Sequence, residues 1–398
     1  MRVALATVGT TGDVRPFAAL AAALAVAGHE VSAVSWEPHR TAFEGTGARF
    51  EPAGPPTTAA DISATAERAA AVSSPTGQVA VLRDFHLRDG AAHVRQLRDA
   101  LAGHDLAVIH GIHSLAQAAA GDIGLPWASA VFDPVLLPTG SAPPAGMPNL
   151  GPLNPLAWRF LDRMLRPLDA PLQAVLAEAG STARPPLFRG RSTLLHLVAC
   201  SPTIIRVPPD LPATTHVTGA WPPPEGAPLT PELSAFLDAG EPPVVVTFGS
   251  MRGASTSQLT ASIVAASRAL GRRVVLQGGE HETANDVISV GETDHRRLFP
   301  RGAAVVHHGG AGTTHAVVAA GVPSVVVPHV GDQRYWAQRL RVLNVAPPPV
   351  TRKSATPRDF QDRLRTAIDS LTPAAREVGA RVRAEAGLYE AVRLIESI

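Results

Sequence analysis

Residues 305–314 read VVHHGGAGTT, and this stretch carries the strongest structural signal in a chain of 398 residues. The apolar run predicts a strand, the glycines predict a tight turn, and residues 313–320 form a helical pattern that Gly321 ends. The unpaired N–H groups and positive dipole end of such a helix suit a diphosphate. The spacing is neither that of a G-x-G-x-x-G dinucleotide motif nor that of a lysine-bearing phosphate loop. Sterics alone also explain the glycines, because any tight turn favours them.

Strand and helix patterns alternate on both sides of this stretch, which predicts an α/β fold with parallel sheets covered on both faces. The first unit combines a strand at residues 3–8 with a helix at residues 16–27. Further strands are predicted at residues 30–36, 48–52, 106–110, 127–132, 244–248, 273–276, 287–290, 303–307 and 324–328.

The length exceeds the size at which one hydrophobic core stops growing, so two domains are expected. A proline-rich stretch at residues 207–243 indicates a hinge between them. We place an amino-terminal domain at 1–215, a linker at 216–241 and a second domain at 242–380.

Two stretches, residues 55–76 and 133–155, are rich in proline, alanine, serine and glycine and are predicted to be irregular loops. Either they line an acceptor pocket, or they are surface excursions without a function of their own.

Composition excludes several functions. A net charge of +1, without a long basic run, gives no electrostatic support for nucleic-acid binding. Cys200 is the sole cysteine, so an intrachain disulfide and a thiolate metal cluster are impossible, and a reducing cytoplasm is expected. No apolar stretch approaches the roughly 18 residues of a membrane span.

Two segments resemble the family 1 glycosyltransferases with GT-B fold. Residues 299–333, FPRGAAVVHHGGAGTTHAVVAAGVPSVVVPHVGDQ, look like the donor-binding signature of that family. Residues 3–24, VALATVGTTGDVRPFAALAAAL, are similar to the start of bacterial members that glycosylate antibiotics and related natural products, including the glycopeptide and sterol branches. The resemblance implies two Rossmann-like domains whose parallel sheets face each other across a cleft. It also implies that residues 381–398 pack back on the amino-terminal domain.

The resemblance implies a donor site in the second domain. Thr293 occupies the position of the base-binding loop, and Asp332 and Gln333 fall where the family holds the hydroxyls of the donor sugar. Ser250 and Asp332 are alternatively explained as helix or turn caps. The residues that match the diphosphate site are His308, Gly309, Gly310, Gly312, Thr313 and Ser250.

An inverting transfer needs a general base for the acceptor hydroxyl, and Asp13 is the candidate because it follows the first predicted strand. Many relatives carry histidine at the matching position, so the aspartate is a departure. Its alternative role is to cap the helix that begins nearby. Thr11, Gly12, His113 and Asp133 are secondary candidates on the acceptor side.

The resemblance, together with these residues, implies an inverting transferase that moves a sugar from a UDP- or dTDP-sugar to a hydroxyl, or a similar nucleophile, of a small natural-product aglycone. We expect no metal and no cofactor, because the sequence lacks the Asp-x-Asp element of metal-dependent transferases. The partners expected are the donor and a small acceptor. A nucleotide-sugar epimerase or hydrolase, and a non-catalytic activator of a partner transferase, remain as alternatives.

Overall fold

The computed structural model describes residues 1–72, 74–134, 137–144, 147, 149–249, 254–278, 284–329 and 332–398. The chain forms two compact units. The amino-terminal unit contains residues 1–202, 206–224 and 386–398, and the carboxy-terminal unit contains residues 203–205 and 225–385.

Strands and helices alternate along much of the described chain. The strands are β1 (Arg2–Ala6), β2 (Glu30–Ser35), β3 (Arg49–Pro52), β4 (Leu106–His110), β5 (Trp127–Val131), β6 (His196–Val198), β7 (Thr215–Val217), β8 (Val244–Thr247), β9 (Val274–Gln277), β10 (Val287–Val290), β11 (Ala304–His307) and β12 (Ser324–Val326). The helices are α1 (Thr11–Val26), α2 (Arg40–Phe43), α3 (Ala59–Ala71), α4 (Pro75–His86), α5 (Gly90–Leu101), α6 (Ser114–Asp122), α7 (Asn154–Leu165), α8 (Ala170–Glu178), α9 (Pro231–Asp238), α10 (Ala254–Ala269), α11 (His295–Leu298), α12 (Ala311–Ala320), α13 (Gln333–Val342), α14 (Pro357–Thr366), α15 (Thr372–Arg383) and α16 (Gly387–Glu396).

The amino-terminal unit is built on a parallel sheet with the strand order β3-β2-β1-β4-β5-β6-β7. The central strands β1 and β4 are apolar at residues 3–6 and 106–109, and these residues alternate between two cores, so both faces of the sheet are buried. One core contains Phe17 and Leu20 of α1 together with Ala391 and Ile395 of α16, so the last helix of the chain is part of this unit. The strand order reverses between β1 and β4, which is where ligands bind in open α/β sheets.

The carboxy-terminal unit has a second parallel sheet with the order β10-β9-β8-β11-β12. The valines of β8 and β11 are fully or almost fully buried, and they alternate between a core with α10 and α14 and a core with α9 and α12. Here the strand order reverses between β8 and β11. The predicted α/β class, with two parallel sheets of GT-B type, is confirmed.

The prediction of an irregular loop at residues 55–76 was wrong. The stretch contains α3 and the start of α4. Thr58 and Asp61 form a capping box at the start of α3, and Ser74 caps α4, where Pro75 stands in the first turn. Alanine, whose abundance favoured a loop in the sequence analysis, is the strongest helix former.

The start of one helix and the content of the proline-rich segment also differ from the prediction. Helix α1 begins at Thr11 rather than at Pro16, since Thr10 supplies an earlier cap. The proline-rich segment 207–243 contains β7 and α9, and Pro231 lies in the first turn of α9, where proline is tolerated. Residues 133–155 hold no long element among the described positions, apart from a short 3₁₀ turn at Gly151–Leu153 and the start of α7.

Candidate active site

Asp13 lies at the switch point of the amino-terminal sheet, in the first turn of the helix that follows β1. Its Oδ2 accepts hydrogen bonds from the Thr10 backbone N–H at 2.7 Å and from Thr10 Oγ1 at 2.9 Å. Gly9 makes room for this arrangement: its φ is +120°, and a Cβ there would lie 2.5 Å from Asp13 Oδ2. The side chain is half-buried. The carboxylate therefore caps its own helix and is held in one position.

Three imidazoles lie within electrostatic range of this carboxylate, and the sequence analysis missed all of them. Burial lowers the pKa of His39, His86 and His110, and the negative charge of Asp13 partly opposes this effect in each ring. His110 is the last residue of β4, and its Nδ1 lies 3.4 Å from Oγ1 of Thr7, which donates to the Asp13 carbonyl at 3.1 Å. A histidine at the end of a central strand was a usable sequence signal. His39 and His86 gave none, because they come from elements distant in sequence.

The secondary acceptor-side candidates occupy different environments. Thr11 and Gly12 are the exposed first residues of α1. His113 is 3% exposed at the start of α6, and burial lowers its pKa well below the usual value. Asp133 is half-buried just beyond β5.

The glycine-rich turn after β11 forms the start of α12 as the sequence predicts. Gly310 is the N-cap, with extended backbone, and α12 begins at Ala311. A Cβ at Gly310 would lie 2.4 Å from His308 Nε2, so only glycine lets this imidazole lie against the helix start. Burial lowers the pKa of His308 to about 4, which leaves the ring neutral at pH 7. Gly312 is exposed and Thr313 half-buried in the first turn, so free N–H groups, a hydroxyl and an imidazole meet at one place.

The loop before α13 adjoins this turn. A Cβ at Gly309 would lie 3.1 Å from the Gln333 carbonyl oxygen, so the predicted diphosphate and sugar residues share one corner of the unit. Asp332 is the N-cap of α13, yet its side chain makes no cap bond and instead accepts from Trp336 Nε1 at 2.6 Å. Gln333 is buried, and its Oε1 accepts from the His329 backbone N–H at 2.6 Å.

A third loop, between β10 and α11, contains Thr293. Gln277, the last residue of β9, donates through Nε2 to the Thr293 carbonyl at 3.0 Å. Its Oε1 lies 2.8 Å from Nε2 of His295, which stacks on Phe299 with ring centroids 4.2 Å apart. Gln277 thus ties the loop to the sheet edge. His295 belongs to the tetrapeptide 292–295 that the sequence places in the base-binding loop, whereas the sequence analysis did not single out Gln277.

Ser250, the remaining diphosphate candidate, lies outside the described residues. In the part of the chain that is described, no group of three or more histidine, cysteine, aspartate or glutamate side chains is arranged to hold a metal ion. The helices in those same ranges include none with the length and apolarity needed to cross a membrane.

Known proteins resemble this chain over its whole length. A family model described as the carboxy-terminal domain of erythromycin biosynthesis protein CIII-like proteins matches residues 280–388. O-mycaminosyltylonolide 6-deoxyallosyltransferase of Streptomyces fradiae is 34% identical, with coverage of 100% of this chain and 97% of the relative. Vancomycin aglycone glucosyltransferase of Amycolatopsis orientalis is 32% identical, with coverage of 97% and 93%. The crystal structure of glycosyltransferase VinC with dTDP superposes with a TM-score of 0.70 at 22% identity, covering 100% of this chain and 99% of VinC.

Two parallel sheets, each with candidate site residues at its switch point, define a glycosyltransferase fold. At this identity and coverage, the chain belongs to the family 1 glycosyltransferases of GT-B fold, in the branch that contains the antibiotic glycosyltransferases. The predicted resemblance is confirmed, and the chain is an enzyme of sugar transfer.

Proposed function

We propose that this enzyme transfers a sugar from a dTDP- or UDP-sugar to a hydroxyl group of a small natural-product acceptor, with inversion at the anomeric carbon and without a metal ion. The observation that supports this proposal most directly is the start of α12. There Gly310 leaves room for the neutral imidazole of His308 to lie beside free backbone N–H groups. The alternatives of an epimerase, a hydrolase or a non-catalytic activator gain no support from a specific contact.

The donor assignment rests on electrostatics. A diphosphate carries several negative charges, and a metal-free site has to stabilise them with oriented dipoles and hydrogen-bond donors. The first turn of α12 supplies its unpaired N–H groups, the Thr313 hydroxyl and the positive end of the helix dipole. We propose that the neutral His308 ring carries its hydrogen on Nε2, the atom beside Gly310, and so adds one further donor. VinC, which has the same fold, was crystallised with dTDP.

Asp332, Gln333 and Thr293 complete the proposed donor site. Asp332 Oδ2 accepts a hydrogen bond from Trp336 Nε1, which fixes the orientation of the carboxylate. The other carboxylate oxygen, Oδ1, points in a different direction. The Gln333 oxygen accepts from the His329 N–H, which fixes the amide and makes its nitrogen the group that donates to a sugar hydroxyl. The Thr293 loop, which Gln277 ties to the sheet, would bind the base.

Asp13 is the proposed general base. Two hydrogen bonds from Thr10 to Oδ2 orient the carboxylate, so a proton from the acceptor goes to Oδ1. Burial lowers the pKa of His39, His86 and His110, which lie within electrostatic range of Asp13, so none of them is a strong ion-pair partner at pH 7.

Asp13→Asn tests the assignment, because asparagine keeps an oxygen acceptor for Thr10 and loses the base. We expect calorimetry with dTDP and UDP to give unchanged affinity, while turnover falls by about a hundredfold or more. O-mycaminosyltylonolide and vancomycin aglycone, the acceptors in the names of the two relatives, are suitable first acceptors. NMR of the product reports the anomeric configuration. Undiminished turnover of Asp13→Asn, or a product with retained configuration, contradicts the proposal.

A further inference from the structure

A recess in the amino-terminal unit contains polar atoms that the proposed transfer does not use. Its interior has room for roughly one water-sized group. Its wall includes Val8, Trp36, His86, His113 and Phe188. Val8 follows β1 closely and Gly9 comes next, so the recess lies beside the loop that leads to Asp13.

Ring nitrogens of the wall residues are buried without a hydrogen-bond partner. These are Nε1 of Trp36, Nε2 of His86 and Nε2 of His113. His93, which also lines the recess, makes no well-formed hydrogen bond through either ring nitrogen. Buried polar groups in proteins are almost always hydrogen-bonded, so a cluster of unpaired ones around one recess indicates a site for a polar group.

The hydrogen-bonding roles of two of these atoms are fixed. Trp36 Nε1 is always a donor. His86 Nδ1 lies 2.7 Å from the Leu82 carbonyl oxygen, which only accepts, so the hydrogen of the neutral ring is on Nδ1 and Nε2 is left as an acceptor. The recess therefore offers one donor and one acceptor at fixed positions, and His113 adapts to either role.

The recess disfavours charged groups. Among the described residues that line it, none is an aspartate, glutamate, lysine or arginine. Burial lowers the pKa of His86 and His113, and it lowers the pKa of His93 to about 3 against a smaller opposing effect of the Ala53 carbonyl. All three rings are neutral at pH 7, so an ion buried here would have no counter-charge.

Phe188 closes the recess in a conformation that is unusual for its residue type. Its φ is +58°, in the left-handed region. Ser114 holds it there: Oγ accepts from the Phe188 N–H at 3.0 Å and donates to the Pro186 carbonyl at 3.0 Å. The ring contacts His86, with centroids 5.0 Å apart. An aromatic wall beside the polar atoms suits a ring that carries the polar group.

We infer that this recess binds an uncharged hydroxyl group on a ring of the acceptor, accepting its hydrogen at His86 Nε2 and donating to its oxygen from Trp36 Nε1. This hydroxyl anchors the acceptor and is separate from the hydroxyl that receives the sugar. The inference deepens the proposed function, on which it rests, by adding a specificity site to the acceptor side.

Phenol is the test ligand, and toluene and benzoate are its comparisons without a hydroxyl and with a charge. Binding is measured without a donor, by calorimetry and by the NMR shift of the Trp36 indole N–H, which Trp36→Phe assigns. His86→Asn keeps a donor near the Leu82 carbonyl and removes the acceptor in the recess, whereas His86→Gln extends an amide to the position of Nε2. His104→Asn is the matched control, since His104 also bonds a nearby backbone carbonyl, that of Leu101, and lies outside the recess.

We expect phenol to bind at least about tenfold more tightly than toluene or benzoate and to move the indole signal. His86→Asn should lose about tenfold in phenol affinity, while His86→Gln and His104→Asn should stay within about threefold of the wild type. Equal binding of phenol and toluene, or a phenol affinity unchanged by His86→Asn, would show that the recess holds water only. Titration of dTDP into the same variants distinguishes the recess proposal from the donor assignment. If dTDP binds normally but phenol does not show the expected affinities, only the recess proposal is overturned. If dTDP does not bind but phenol shows the expected affinities, only the donor assignment is overturned.

Discussion

Asp13 and Thr10 are joined by two hydrogen bonds that end on the same carboxylate oxygen, Oδ2 of Asp13. The capping role that the sequence offered as an alternative is thus real, and it is compatible with a base at the other oxygen. A capping aspartate is also oriented before the acceptor binds, which a catalytic base requires.

The two roles of Asp13 separate on substitution. Asp13→Ala removes the acceptor for both Thr10 bonds, so we expect the free energy of unfolding to fall by about 1 kcal/mol. Asp13→Asn keeps an oxygen acceptor and should stay within about 0.5 kcal/mol of the wild type. Urea unfolding measures both. Equal destabilisation of the two variants would mean that the negative charge, and not the acceptor, maintains the cap.

Local patterns determined most of what the sequence predicted correctly. The strand at Val287–Val290 has the predicted bounds, and β11 differs by one residue, because short apolar runs between turn residues are visible in one window. The position of His308 at the start of α12 follows from the same local pattern. Helix α3 was missed because the alanines of residues 59–71 were interpreted as part of a loop composition, although alanine favours a helix and Thr58 caps one.

Contacts between distant segments were beyond the sequence. Asp13, His39, His86 and His110 come from four separate elements, and only the fold brings their charges within range of one another. The recess near Phe188 depends likewise on a left-handed backbone that no propensity predicts for phenylalanine. Sequence reasoning identified residues that sit on signature motifs and missed those that support them.

The bond between Asp332 and Trp336 predicts a stability difference. Trp336 is fully buried, and its Nε1 donates to Asp332 Oδ2. Asp332→Ala would leave a buried N–H without that acceptor, at a cost of about 1–3 kcal/mol. Asp332→Asn retains an oxygen and should cost less than about 1 kcal/mol. The measurement is denaturant unfolding of both variants. Equal losses would indicate that solvent reaches the indole and compensates for the missing acceptor.

Substitution of Gln277 should affect donor binding without affecting the rate of turnover. Gln277→Met removes the bonds to Thr293 and His295 that hold the proposed base-binding loop. The donor KM should rise by about three- to tenfold with kcat within about twofold, since the loop contacts ground state and transition state alike. Gln173→Met is the control: this glutamine of the amino-terminal unit also donates to a backbone carbonyl, that of Pro185. A fall in kcat at constant KM would contradict a purely binding role for the loop.

The buried His307 should make the free energy of unfolding depend on pH. It is fully buried, and burial together with the neighbouring His308 and His295 lowers its pKa to about 3. In the unfolded chain a histidine takes up its proton near pH 6.5, so between pH 6.5 and about 3 the unfolded state binds a proton that the native state does not bind. Stability is therefore fully present above pH 6.5 and declines as the pH falls, by up to about 1.4 kcal/mol per pH unit for this residue.

His307→Asn isolates the contribution. Nδ1 of His307 accepts from the Gly309 N–H at 3.2 Å, and the asparagine oxygen offers a replacement acceptor that does not titrate. The difference from the wild type at pH 8 gives the packing cost of the substitution. Below pH 6.5 the free energy of unfolding of the variant should fall less steeply with pH. The difference in slope should correspond to about one bound proton. Parallel curves from pH 8 to pH 4 would show that His307 is protonated in the native state as readily as in the unfolded chain.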